Sequence, residues 1–269
     1  MTSSSIAFIG GGNMAAALIG GLLQCGRAPA SIRVIEPAAA QRERLAQQFG
    51  VAAEPAAGPA LAGCEMVVWA VKPQLFAEAA APCAAYVAGA LQLSVMAGIR
   101  SETIVRASGS PRVVRAMPNT PALIGKGIAG LYAREAVSAD GRSAVEQVLR
   151  PTGQLMWVAH EDDLDAVTAL SGSGPAYVFY FIEAMMQAAR EMGLSDSQGR
   201  QLAQATFAGA AALAEGSEEA PATLRERVTS KGGTTHAAIS SLETEGVKAA
   251  FVRAILAAQR RAQELGRAT

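Results

Sequence analysis

Ile6-Ala7-Phe8-Ile9-Gly10-Gly11-Gly12-Asn13-Met14-Ala15 opens the chain with a short apolar run that hands over to a glycine-rich turn. The pattern is G-x-G-x-x-A, set where a first strand should pass into a first helix. Gly10 allows a tight turn, Gly12 removes the side chain that would block a diphosphate, and Ala15 lets the helix pack close to the sheet. The helix after it (Ala16, Leu18, Ile19, Leu22, Leu23) offers its N-terminal N–H groups to an anion. Glycine-rich turns are common. The strand before this one and the apolar helix after it supply the context that points to a dinucleotide.

Outward from that turn, β-type apolar runs recur at 6–9, 32–36, 66–71, 91–95, 113–116, 128–132 and 155–158. Ala-rich helical stretches such as 37–50 and 138–150 lie between several of them. Strand–helix alternation predicts a doubly wound, largely parallel sheet. Beyond Asp162 the β pattern stops and helix succeeds helix. Ser171-Gly172-Ser173-Gly174-Pro175 reads as a turn with proline at a helix start. The helix at 176–193 is apolar nearly all round (Tyr177, Val178, Phe179, Phe181, Ile182, Met185, Met186) and is expected to be buried on most sides. Ser195 and Gln198 form a capping box for a helix reaching about residue 215. Its Ala205, Ala208, Gly209 and Ala212 would permit close helix–helix contact. Two more helices close the chain, at about 235–242 and 247–265. The expected fold class is therefore α/β: a dinucleotide-binding domain over 1–163 and an all-α domain over 164–269. A small helical domain with so apolar a helix usually finds a partner, so a dimer through this region is expected. Cover by the first domain is the alternative.

Bulk properties narrow the classes. The 269 residues suffice for one large domain or two ordinary ones. Formal net charge is zero, which speaks against an electrostatic grip on nucleic acid. Cys25, Cys64 and Cys83 have no paired spacing and read as reduced, buried and inert, as in a cytoplasmic protein. Met1-Thr2-Ser3-Ser4-Ser5 lacks a basic leader region, and no apolar stretch has the length of a membrane span. His160 and His236 are too few and too separated for a metal site and read as structural.

Four segments could carry chemistry. Ala70-Val71-Lys72-Pro73 ends a strand on the edge that faces a ligand crevice, so Lys72 either touches the cofactor or is a solvated turn lysine. Ser94-Val95-Met96-Ala97-Gly98 ends the next strand with small residues that would admit a nicotinamide ring, or simply pack tightly. Met117-Pro118-Asn119-Thr120-Pro121 presents Asn119 and Thr120 from a loop stiffened by two prolines, which favours a site. Ser230-Lys231-Gly232-Gly233-Thr234-Thr235 frees the backbone with two glycines at a helix start. It is a nest of N–H groups with hydroxyls attached, suited to a carboxylate or phosphate, or else a capped helix start. Glu161-Asp162-Asp163 with Asp165 reads as a solvated acidic connector, and Glu183 as a paired structural carboxylate.

Together these fragments resemble pyrroline-5-carboxylate reductase nearly end to end. The resemblance runs through Phe8–Met14, Ala70–Pro73, Ala97-Gly98, Arg115–Pro121, Leu170–Tyr177 and Val228–Thr235. It implies an N-terminal Rossmann-type doubly wound sheet, followed by an all-α C-terminal dimerisation domain that interlocks with another chain's. Such dimers can assemble into larger rings. It also implies reduction of the cyclic imine 1-pyrroline-5-carboxylate to L-proline by NADPH or NADH. Carried over by position, Gly10, Gly11, Gly12, Asn13, Met14, Ala70, Val71, Lys72 and Pro73 would serve the cofactor. Ala97, Gly98 and the 117–121 loop with Asn119 would line the nicotinamide pocket. Ser230 with the backbone of Gly232, Gly233, Thr234 and Thr235 would hold the substrate carboxylate, and Thr235 would bond the imine nitrogen.

Glu36 departs from many relatives, which have a small polar residue there. It lies where an acid commonly binds the ribose 2′-hydroxyl of NAD, and it would repel the 2′-phosphate of NADPH unless Arg42 or Arg44 compensates. The plain alternative is that Glu36-Pro37 makes a turn. The rival enzyme family, β-hydroxyacid dehydrogenases, carries a catalytic lysine on the helix after its glycine-rich crossover, where this chain has Tyr177 and Glu183. A non-catalytic protein that senses NADP would not need the 230–235 nest.

Overall fold

The computed structural model describes residues 5–267, so the first four residues, where no leader is expected, lie outside the described residues. Two compact units are present: Met1–Ser173 together with Ala258–Thr269, and Gly174–Ala257.

The first unit is built on one eight-stranded sheet. Its strands are β1 (Ile6–Ile9), β2 (Ile32–Ile35), β3 (Ala53–Glu54), β4 (Met66–Trp69), β5 (Leu91–Ser94), β6 (Val113–Met117), β7 (Gly127–Ala133) and β8 (Gly153–Trp157). Their order is β3-β2-β1-β4-β5-β6-β7-β8. Every pair is parallel except β6–β7, which a short connection joins antiparallel. The helices of this unit are α1 (Asn13–Gln24), α2 (Ala39–Phe49), α3 (Phe76–Ala80), α4 (Ala84–Val87), α5 (Ser101–Ser108), α6 (Ala139–Leu149) and α7 (Asp163–Val167). The two-residue strand β3 is too short to show any alternation in the sequence.

All four residues of β1, β4 and β5 are buried, as expected of central parallel strands covered on both faces. Alternation along β1 sorts the two cores. Ile6 and Phe8 join Leu18 and Ile19 of α1, Leu45 of α2 and Val145 of α6, while Ala7 and Ile9 join Phe76 of α3, Cys83 and Ile104 of α5. Gln92 on β5 is wholly buried and fully bonded: Trp69 Nε1 donates to its Oε1 (2.9 Å), and its Nε2 donates to the carbonyls of Val87 and Ala90. The strand order runs outward one way from β1 through β2 to β3 and then the other way from β4, and the crevice at such a switch point is where ligands bind in this class.

The second unit holds α8 (Gly174–Glu191), α9 (Asp196–Glu215), α10 (Pro221–Arg227), α11 (Thr234–Thr244) and the start of α12 (Val247–Arg267). The capping box of Ser195 and Gln198 is formed. Helix α10 has no counterpart in the sequence reading; its seven residues are too few for a periodic signal.

Four expectations need correction here. Helix α8 is not buried on most sides within the chain: Ala189 is its buried residue, whereas Phe179 is 59% and Tyr180 70% exposed. Ala205, Ala208, Gly209 and Ala212 are exposed, and α8 and α9 meet instead through Ala189 and Gly199, where an added Cβ would lie 2.8 Å from that of Ala189. The division falls after Ser173, not at 163/164, because Val167 packs over Gly130 and Gly172 against Met117 of the sheet unit, and the last turns of α12 belong there too. Cys25 is exposed, while Cys64 and Cys83 are buried, and burial pushes the Cys83 thiol up to about 11.

Among the described residues, no helix is long and apolar enough to cross a membrane.

Candidate functional site

The glycine-rich turn forms at the switch point. Gly10 takes φ +96°, and its amide donates to the Ile35 carbonyl (2.8 Å). A Cβ there would lie 2.8 Å from the Ala70 carbonyl oxygen and 3.0 Å from Val71, so the turn and the end of β4 touch. A Cβ on Gly12 would meet nothing within 4 Å. Gly12 is also the N-cap of α1 and has no side chain to satisfy the first-turn N–H groups of Asn13, Met14 and Ala15. Open space beside uncapped donors fits a dinucleotide's diphosphate.

Glu36 directly follows β2, beside this turn. Its Oε2 accepts the Gly11 amide (2.8 Å) and its Oε1 the Ala38 amide (2.9 Å). The carboxylate therefore both makes its own turn and braces the glycine loop. Arg42 donates to the Glu36 and Pro37 carbonyls (3.0 and 2.7 Å), and Arg44 reaches Asn13 Oδ1 (3.4 Å). Neither arginine forms an ion pair with Glu36. Gln41, which the sequence does not single out, donates to the Gly11 carbonyl; on a helix surface its residue type carries no signal. Lys72 is exposed and begins the turn Pro73–Leu75, its carbonyl accepting from Leu75 (2.9 Å).

Ala97 and Gly98 come after β5, half-buried, with Gly98 at φ +76°. Asn119 is half-buried, and its amide already has partners within the chain. Nδ2 donates to the Ser171 carbonyl and Oδ1 accepts the Ile128 amide, both at 3.1 Å, because the loop's backbone groups near the sheet need partners. Thr120 is exposed.

The acidic segment is the largest revision. Asp165 is 4% exposed and takes Arg100 Nη2 at 3.0 Å, while Asp162 takes Nη1 at 2.6 Å. Glu161 accepts the Ser101 amide (2.6 Å), the Ser101 hydroxyl (2.7 Å) and Arg115 Nη1 (2.8 Å). Asp162 and Asp163 are exposed, as expected of a solvated connector, but Glu161 and Asp165 belong to a partly buried ion-pair network, invisible in sequence because its partners sit 46 to 65 positions away. Burial alone would raise the Glu161 pKa; the Ser101 bonds and Arg115 outweigh it and hold the carboxyl below its ordinary value. Burial likewise opposes the charge on Arg100, but Asp165, Asp162 and Glu161 outweigh it and raise its pKa.

A group whose native pKa is depressed contributes stability that is full above the unfolded value, here 4.5, and lost as pH falls through the native one. Glu161→Gln should therefore cost about 3 kcal/mol near neutral pH, since it strands a buried Arg115. Urea unfolding tracked from pH 7 downward should show that difference shrinking below about pH 4.5. A difference independent of pH would remove Glu161 from the network's energetics.

In the second unit, Ser230–Gly233 forms a turn closed by the Gly233 amide on the Ser230 carbonyl (3.0 Å), with Gly232 at φ +77°. Gly233 is the N-cap of α11 and again brings no side-chain cap. An added Cβ there would lie 2.8 Å from Ser230 Oγ, so the hydroxyl folds over the glycine. The amides of Thr234, Thr235 and His236 lack intrahelical partners by position. Thr235 is half-buried; Ser230, Lys231, Gly232, Thr234 and His236 are exposed. Glu183 is exposed and unpaired among the described residues, not a paired carboxylate, and the rings of His160 and His236 pack into no core.

Two family models match the chain: one described as pyrroline-5-carboxylate reductase dimerisation over residues 161–265, and one as NADP oxidoreductase, coenzyme F420-dependent, over residues 5–98. The chain is 44% identical to a pyrroline-5-carboxylate reductase of Pseudomonas aeruginosa, with 98% of each covered. A solved pyrroline-5-carboxylate reductase of Coxiella burnetii is 36% identical and superposes with a TM-score of 0.91, covering 98% of this chain and 99% of that one. A Plasmodium falciparum pyrroline carboxylate reductase with NADP bound is 26% identical, with a TM-score of 0.87 over 99% of each. A Rossmann-type sheet followed by helices that match the dimerisation model, together with a relative 44% identical over nearly the whole length, places this chain in the pyrroline-5-carboxylate reductase family.

Proposed function

We propose that the chain reduces 1-pyrroline-5-carboxylate to L-proline, with NADPH as reductant and NADH as a second one. The observation that carries this reading is the pair of helices, α1 and α11, each begun by a glycine without a side-chain cap. The cradle at Gly10, Gly11, Gly12, Asn13 and Met14, with Ala70–Pro73 beside it, holds the diphosphate. The cradle at Ser230 and Gly232–Thr235 holds the substrate carboxylate on α11's first-turn amides. The cofactor supplies a hydride to the imine carbon when bound.

Everything else asked of the protein is placement. The ring nitrogen is protonated from solution, so the C=N bond takes hydride as an iminium, and the nitrogen ends with a proton and the carbon with the hydride. Segment 230–235 contains no carboxylate or imidazole, which suits a reaction needing orientation more than a strong acid. Thr235 bonds the nitrogen through its hydroxyl, and Ala97, Gly98 and the 117–121 loop line the ring of the cofactor.

Loss of NADPH absorbance on adding 1-pyrroline-5-carboxylate, with proline appearing in equal amount, tests this directly. Purified protein that leaves both compounds unchanged would overturn it.

The helical region joins two chains, and such dimers would close further into a ring. Phe179→Glu should weaken the dimer about 30-fold or more, as expected for an aromatic anchor. Sedimentation equilibrium reads the change; unaltered association would exclude the α8 face from the interface.

A further inference from the structure

We infer that Arg100 is a positioning residue for hydride transfer, holding the Ala97–Gly98 backbone where the nicotinamide ring must lie. This rests on the proposed function, in which those two residues line the ring.

Ala97 and Gly98 carry no polar side chain with which to hold themselves, and Gly98 sits in the left-handed region. The residues on their C-terminal side are held from elsewhere in the chain. Arg100 is the N-cap of α5, a position that favours Ser, Thr, Asp or Asn, and its side chain makes no cap hydrogen bond. The cap comes instead from Glu161, 60 positions along, which accepts both the Ser101 amide and the Ser101 hydroxyl. Arg100 turns its guanidinium onto Asp162 (2.6 Å) and the buried Asp165 (3.0 Å). A local cap would fix only α5. This arrangement ties the loop's exit to the 161–165 segment, and through Glu161 to Arg115 on β6 (2.8 Å).

The end of α12 closes the clamp. A Cβ on Gly266 would lie 2.9 Å from Arg100 Nε and 3.1 Å from Nη2, and one on Gly98 would lie 3.6 Å from Leu265 Cβ. Glycine at 266 thus lets the helix rest on the guanidinium while Leu265 backs the loop. Arginine's planar fork can engage two carboxylates at once, which lysine's single ammonium cannot. Residue 100 therefore sets where the loop stands, without touching substrate or cofactor.

The test compares full-length wild type with Arg100→Met, Arg100→Lys and Gly266→Ala. It measures kcat, KM for 1-pyrroline-5-carboxylate, the Kd for NADPH, and the isotope effect with NADPH deuterated at the transferred position. Misplacing the ring by a fraction of an ångström to an ångström should lower kcat of Arg100→Met about 30-fold and enlarge the isotope effect on kcat. The imine KM and the NADPH Kd should stay within about threefold, because the two cradles are untouched. Arg100→Lys should recover part of kcat. Gly266→Ala displaces only the far end of a flexible side chain, so the fold persists and decides the matter if Arg100→Met does not fold; its kcat should fall in the same direction with every charge present. Wild-type kcat and isotope effect in both Arg100→Met and Gly266→Ala would overturn the inference. So would a kcat loss matched by equal loss of NADPH affinity with no change in isotope effect. A wild type that does not reduce 1-pyrroline-5-carboxylate sinks instead the proposed function on which the inference rests.

Discussion

Thr235→Ala should lose about a hundredfold in kcat/KM for 1-pyrroline-5-carboxylate, the cost of one preorganised donor at a reacting centre. Thr235 is the second residue of α11, half-buried, and its hydroxyl has no protein partner among the described residues. A hydroxyl not spent on the fold is available to the ring nitrogen. For that reason the substitution should leave the melting temperature and the Kd for NADPH nearly unchanged. Thr235→Ser, which keeps the hydroxyl, should retain most of the activity. If Thr235→Ala turned over at the wild-type rate, the residue would have no part in the chemistry, whatever its position.

Glu36→Ser should shift the ratio of kcat/KM for NADPH over NADH by about a hundredfold toward NADPH, roughly tenfold from each side. Removing the carboxylate takes away a charge that opposes the 2′-phosphate, and leaves Arg42 and Arg44 on α2 beside it. The same change removes the brace on the Gly11 amide and an acceptor for the ribose hydroxyls, so NADH should be used less well. Glu36→Gln separates the two effects, since it discards the charge and keeps an oxygen for Gly11. Full NADH activity in Glu36→Ser would reduce Glu36 to a turn residue. An unchanged cofactor ratio in both variants would show that the arginines alone set the choice.

The sheet was legible because its signals are local. Seven of its strands carry their own apolar runs, and Gly10, Gly12 and Ala15 announce the turn by type and spacing. The 230–235 nest was legible for the same reason, two glycines before a helix start. The readings that failed depended on partners far along the chain. Asp165 reads as a solvated acid until Arg100 is found 65 positions earlier, and Asn119 reads as an exposed amide until Ser171 and Ile128 claim it.

Helix α8 failed differently. Its apolar surface is plain in the sequence, but an apolar helix does not say where its cover comes from, and Phe179 and Tyr180 stay exposed within the chain.

By itself, then, the order of residues determined which segments become strands and helices, where two helices begin at uncapped glycines and which family the chain belongs to, since backbone geometry and short motifs act over a few neighbours. Tertiary structure alone decided which charges are buried and paired, that α5 is capped by Glu161, and that Gly266 admits the end of α12 against Arg100. Those outcomes depend on which distant atoms share one low-dielectric space, and no local pattern encodes that distance.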